Sequence, residues 1–111
     1  MDSGRKELLV RDIRTDSSGR RFLVGVANNH EVIRVGDAFV TRYESPQSYE
    51  DILGGRPPPD PINQVDIRLT VAAIEFPTGQ DAEELPRGHT GALYLTGTGM
   101  EHITVGCLLR T

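Results

Sequence analysis

Gln64-Val-Asp-Ile-Arg-Leu-Thr-Val-Ala-Ala-Ile-Glu-Phe76 reads as one long strand that changes phase partway along. Val65, Ile67, Leu69 and Val71 fall on odd positions, whereas Ile74 and Phe76 fall on even ones. Side chains alternate between the two faces of a strand, so an unbroken strand of this composition would bury one face and then the other. An extra residue near Ala72-Ala73, as a bulge or sharp coil, returns the apolar side chains to a single face. Sheets that close on themselves need such devices. With the short strands around it, this stretch points to a barrel or a sandwich.

The flanking sequence agrees. Period-two alternation dominates and helical periodicity is nearly absent. Glu7 to Thr15 predicts a first strand, Asp16-Ser-Ser-Gly19 a tight turn, and Arg20 to Ala27 a second strand. That second strand carries Phe22, Val24 and Val26 on one face and Arg21, Leu23 and Gly25 on the other. Asn28-Asn29-His30 reads as the next turn. Val32 to Val35 and Ala38 to Tyr43 are two short strands separated by Gly36-Asp37, where the glycine marks a bulge or barrel corner. Pro77 to Gly91 reads as a loop with one helical turn over Asp81-Ala-Glu-Glu-Leu85. Gly91 to Thr96 and Ile103 to Arg110 complete a set of six or seven antiparallel strands. One long insert, Ser45 to Asn63, interrupts them. It has the signals of a helical turn or two starting at Ser45-Pro46, followed by the proline run Arg56-Pro-Pro-Pro-Asp-Pro61, which a central strand could not accommodate.

With 111 residues, 37% apolar and 25% charged, the chain predicts a single ordinary globular domain spanning residues 1–111. Aromatic residues are few and tryptophan is absent, so the core rests on Val, Ile and Leu, as barrel interiors favour. The net charge of −4 runs against a nucleic-acid-backbone binder, which usually carries a basic excess. Lys6 is the single lysine, and the arginines are scattered. A local basic patch of Arg14, Arg20 and Arg21 across the first hairpin competes with the reading of solvated strand faces. Cys107 is the lone cysteine and sits in an apolar run, which fits a buried, inert thiol. No run has the length of a membrane-spanning helix and the N-terminal residues lack a signal-peptide core, so a cytoplasmic location is expected.

Three sets of residues, taken in order, carry a family resemblance. They are Val32-Ile-Arg-Val-Gly-Asp37, the long strand ending Ile74-Glu-Phe76, and Leu85-Pro-Arg-Gly-His-Thr-Gly-Ala-Leu-Tyr-Leu-Thr-Gly97 followed by Ile103-Thr-Val-Gly-Cys-Leu-Leu109. This order resembles the second domain of translational GTPases, the barrel of the elongation factor Tu type, over roughly Arg20 to Leu109. Gly25, Gly36-Asp37, Gly88 and Gly106 match the family's glycines, Gly88 fitting a tight approach to a strand. The resemblance implies a small closed barrel. In the family's elongation factors, the outer face near the end of the long strand and the following turn helps hold the aminoacyl end of tRNA. At the corresponding turn, Pro86-Arg-Gly-His-Thr90, this chain has Pro86 and His89 where the family places an arginine and a glutamate, with Arg87 one position away. No phosphate-cradling glycine loop followed by Lys and Ser/Thr is present, so no nucleotide is expected.

Catalytic arrangements find little support. His30, His89 and His102 are not spaced as metal ligands, Glu83-Glu84 reads as a solvated acidic turn, and no nucleophile elbow occurs. The expectation is a non-catalytic binding module of bacterial, cytoplasmic type with no cofactor or metal, most readily one that binds a protein, as an accessory or immunity-type partner. The alternatives are an RNA-binding barrel contacting tRNA or ribosomal RNA, and a structural subunit completing a larger sheet. The candidate contact residues are Tyr49, Ile52 and Leu53 of the insert and Phe76, Arg87, His89 and Thr90 of the corner. Tyr49, Ile52 and Leu53 either face a partner or cap an open end of the barrel.

Overall fold

The computed structural model describes residues 6–28, 32–44 and 62–111. Among them lie nine strands: β1 (Glu7–Thr15), β2 (Arg21–Ala27), β3 (Ile33–Arg34), β4 (Ala38–Glu44), β5 (Ile62–Glu75), β6 (Asp81–Ala82), β7 (Glu84–Leu85), β8 (Thr90–Thr98) and β9 (Leu108–Arg110). A single 3-10 turn, Met100–His102, precedes β9. The main sheet runs β4-β9-β1-β2-β8-β5, and β5 pairs back onto β4, closing a six-stranded antiparallel barrel with β6 as an extra strand beside β5. β3 and β7 form a separate two-stranded ribbon.

Alternation fills the interior from each strand in turn. Leu8 and Val10 of β1, Leu23 and Ala27 of β2, and Phe39 of β4 meet Ile67, Leu69, Val71 and Ile74 of β5, with Leu93 of β8 and Leu109 of β9. Leu85 of the short ribbon strand and Cys107 are also fully buried in this core. Burying a Leu- or Ile-sized side chain is worth about 1.5–3 kcal/mol, so this shared interior is what holds short strands of distant sequence together.

The phase change in the long strand has its predicted cause. The β5–β8 register shifts between Val71 and Ala73, so Leu69, Val71 and Ile74 all point inward despite their odd and even numbers. The Val35-Gly36-Asp37 turn docks at the same place. The Gly36 N–H donates to the Val71 carbonyl at 2.8 Å, and the Val71 N–H donates to the Asp37 carbonyl at 2.8 Å. Gly36 has φ +99, a conformation that side-chain-bearing residues rarely adopt. The Asp37 carboxylate accepts from the Arg34 N–H at 2.7 Å and from Lys6 Nζ at 2.6 Å, fastening the chain's first described residue to the turn. The two sequence landmarks are thus one structural joint.

Local hydrogen bonding explains the first hairpin. Asp16 Oδ1 accepts from the Ser18 and Arg20 N–H groups at 3.0 and 2.9 Å, while the Gly19 N–H donates to the Asp16 carbonyl. These contacts hold the Asp16 carboxyl below its ordinary range, with the Ser18 hydroxyl contributing most.

Four expectations change. Asp81 to Leu85 forms no helical turn: Asp81–Ala82 pairs with Ile74–Glu75, and Glu84–Leu85 pairs with Ile33–Arg34. Backbone pairing to strands already in place outcompetes a single helical turn, whose nucleation is costly. Ile103 to Arg110 is not one strand, because a turn with the Cys107 N–H on the Thr104 carbonyl intervenes and only Leu108–Arg110 pairs. Gly88 is required by its φ of +77 and not by crowding, since an added Cβ would meet nothing within 4 Å. Ile62 and Asn63, read as the end of the insert, open β5. Residues 45–61, which hold Tyr49, Ile52, Leu53 and the proline run, lie outside the described residues, as does His30.

Candidate functional site

β2 is apolar on both faces, and closure of the barrel decides which face is used for what. Leu23, Gly25 and Ala27 point into the core; Phe22, Val24 and Val26 are half-buried on the outer wall. Their cross-strand neighbours are set by register: Phe22 lies opposite Arg14, Val24 between Asp12 and Ala92, and Val26 between Leu9 and Thr90. A sheet face covered only by water usually alternates to polar residues, whereas the outer face of β2 presents Phe, Val and Val in succession.

The wall is recessed where β5 ends. One recess of about 190 Å³ is lined by Arg14, Phe22, Val24, Glu75, Phe76 and Pro77, with Thr90–Ala92 forming its far side. A second, shallower one of about 450 Å³ is lined by Phe76, Pro77, Thr78, Pro86, His89 and Thr90. Phe76, Pro77 and Thr90 belong to both, so the two form one trough. The turn that makes its rim is closed by the Phe76 N–H on the Gln80 carbonyl at 2.9 Å and the Gly79 N–H on the Phe76 carbonyl at 2.8 Å.

At one end of the trough Phe22 and Tyr94 stack with ring centroids 5.1 Å apart, and the Arg20 guanidinium lies 4.8 Å over the Tyr94 ring. Partial burial, followed by the nearby Asp16 and Glu75 carboxylates, pushes the Tyr94 phenol above its ordinary value. The Arg14 guanidinium is engaged by Asp12 at 2.7 Å, which depresses the Asp12 carboxyl. Glu75 is half-buried in the trough, and its carboxylate has no hydrogen-bond or ion-pair partner among the described residues. Its cross-strand neighbour on β6 is another carboxylate, the exposed Asp81.

Of the residues singled out from sequence, Phe76, His89 and Thr90 are brought together around the trough. Arg87 is not part of the lining; its backbone bridges to Ala27 and the residue is exposed. Of the arginines of the first hairpin, Arg14 is ion-paired with Asp12 and Arg20 lies over the Tyr94 ring, while Arg21 stands opposite Thr15. Sequence reasoning passed over Phe22, Val24, Glu75, Pro77 and Ala92 as site residues. The available signal was the two-faced apolarity of β2.

A second polar cluster lies at the other end of β5. Arg42 is 7% exposed. It donates through Nε to the His102 carbonyl at 2.8 Å, through one terminal nitrogen to Glu44 at 2.9 Å and the Asn63 carbonyl at 3.1 Å, and through the other to Thr104 Oγ1 at 2.7 Å. Hydrogen bonds from Asn63 and then Arg42 hold the Glu44 carboxyl below its ordinary value. Each guanidinium nitrogen donates at least one hydrogen bond, four of its five N–H groups being used, so this cluster is a clamp between β4, β5 and the segment before β9. Among the described residues no group of three His, Cys, Asp or Glu side chains is placed to hold a metal ion, and no helix is long and apolar enough to cross a membrane.

No protein-family model matches the chain, and no curated protein matches it in sequence. Its fold is similar to that of translation elongation factor SelB from Methanococcus maripaludis in the apo form, with a TM-score of 0.63 at 12% identity. The superposition covers 98% of this chain but 19% of the elongation factor, so the chain spans about a fifth of that protein's length. The chain thus shares its fold with a part of that elongation factor.

Proposed function

We propose that the chain is a non-catalytic binding module whose outer-wall trough accepts a segment of a protein partner, in an accessory or immunity-type role. The observation that carries this reading is the apolar outer face of β2, continued by Phe76, Pro77 and Ala92 into a recess. An apolar trough with a few polar groups at its edges suits a peptide side chain, and aromatic residues are frequent anchors in such contacts. The scatter and engagement of the arginines, with a net charge of −4, favour protein over a phosphate backbone.

A second reading, RNA binding, has one observation in its favour. The Phe22–Tyr94 stack with Arg20 above it is a surface on which a base could stack, and the fold occurs in an elongation factor. An affinity pull-down from native lysate, with and without ribonuclease and with a Phe76→Ala control, separates the two. Partner proteins retained after ribonuclease and lost with Phe76→Ala are the expected result. Recovery only of RNA, falling steeply with salt, overturns the protein reading.

A further inference from the structure

The charged groups in and beside the trough are unevenly paired, and this bears on what the trough receives. Of the arginines around it among the described residues, Arg14 is ion-paired with Asp12 at 2.7 Å and Arg20 lies over the Tyr94 ring at 4.8 Å. On the anionic side, Asp12 is neutralised by Arg14, and Asp16 is held within its own turn. Glu75 and Asp81 are left. They sit directly opposite each other across β5 and β6, on the same outward face, and neither carboxylate has a partner among the described residues. Like charges directly opposite in a sheet are destabilising, and a half-buried carboxylate against Phe22, Val24 and Pro77 loses hydration without compensation. A fold does not gain from that arrangement; a complex with a cation does.

Resting on the reading of the trough as a protein-binding site, we propose that its occupant is a peptide segment pairing an apolar or aromatic side chain with an adjacent arginine or lysine. The apolar group packs against Phe22, Val24, Phe76 and Ala92. The cation is placed between the Glu75 and Asp81 carboxylates, relieving their repulsion and satisfying oxygens that the barrel leaves open. The recess of about 190 Å³ is of the size to admit one large side chain, and its position beside Glu75 puts the neighbouring residue of the peptide at the carboxylate pair. An acidic segment is disfavoured at the same place by the same two charges.

The test is a titration of the isotopically labelled full chain, followed by amide resonances, with two blocked tetrapeptides, acetyl-Gly-Phe-Arg-Gly-amide and acetyl-Gly-Phe-Glu-Gly-amide, and with adenosine monophosphate. The arginine peptide is expected to shift the amides of Glu75, Phe76, Ala92 and Val24. Binding should weaken roughly two- to fivefold in Glu75→Gln, in Asp81→Asn and in moderate salt, the loss expected for one partly exposed ion pair. Folding of the variants is checked by the unchanged resonances of Leu8, Leu69 and Leu109. If the glutamate peptide binds as well as the arginine peptide, or if Glu75→Gln binds the arginine peptide undiminished, the cation is not selected and this inference falls while the trough remains a peptide site. If neither peptide shifts the trough, the inference falls; if adenosine monophosphate alone shifts it, the protein-binding reading falls as well.

Discussion

Arg42, beside the first residues of β5, and Glu75, its last residue, are both charged groups among apolar neighbours, and their surroundings are opposite. Arg42 is more than nine-tenths buried and spends its guanidinium on two carbonyls, a carboxylate and a hydroxyl. Glu75 is half-buried, has no side-chain partner among the described residues and faces a second carboxylate. A charge taken out of water is tolerated when every hydrogen-bonding direction is met, and such a group then fixes local geometry. A charge left open at a recess costs stability in the free protein and is compensated only when something else arrives. One end of the strand is therefore closed by its own hydrogen bonds, and the other leaves a carboxylate open.

The comparison can be broken by substitution. Replacing Arg42 by Met removes the clamp and strands four acceptors, so denaturant unfolding should show a loss of about 3 kcal/mol; a loss under about 1 kcal/mol would mean that the cluster is decorative. Truncating Phe22 to Ala at the trough should cost about 1 kcal/mol of stability, through its lost stack on Tyr94, while lowering partner capture far more than that figure suggests. The opposite sign is expected at the carboxylate pair. Glu75→Gln or Asp81→Asn should raise stability by roughly 0.2–1 kcal/mol in the absence of a partner, read as a higher unfolding midpoint with an unchanged denaturant slope. A destabilised Glu75→Gln variant would show that the carboxylate has a structural role.

The dependence on pH sharpens the same contrast. Glu44, Asp12 and Asp16 have folded values depressed below the ordinary carboxylate range, so the stability they contribute is present above that range. It is lost as the pH falls through their folded values, when the unfolded chain already holds the protons. Thermal unfolding should therefore move to lower temperature on acidification, and Glu44→Gln should flatten part of that fall. A Glu44→Gln profile superimposable on the parent would separate Glu44 from the Arg42 clamp.

Much of the barrel was legible because its determinants are local. The Asp16–Gly19 turn is made by its own side chains, and the bulge at Val71–Ala73 announces itself in the change of apolar phase. What misled was equally local in origin. Asp81 to Leu85 has the composition of a helical turn, yet it lies between strand edges that only the closed barrel creates. The corner residues Phe76, His89 and Thr90, singled out through the chain's order of landmarks, line the trough, and so does Glu75 of the same Ile-Glu-Phe triplet, which the sequence reading did not single out.

The sequence by itself determined that alternating strands, glycine turns and one phase shift would build a small all-β domain, a barrel or a sandwich, because each is encoded within a few residues. It could not determine which face of β2 turns outward, since Leu23 and Phe22 are equally suited to a core. That choice belongs to the closure of β5 onto β4, which sets the inside of every strand at once. The same closure fills Arg42's donors from β4, β5 and the segment before β9, and leaves Glu75 opposite Asp81 at the open trough. Partners separated by tens of residues are chosen by register, and register is a property of the whole sheet.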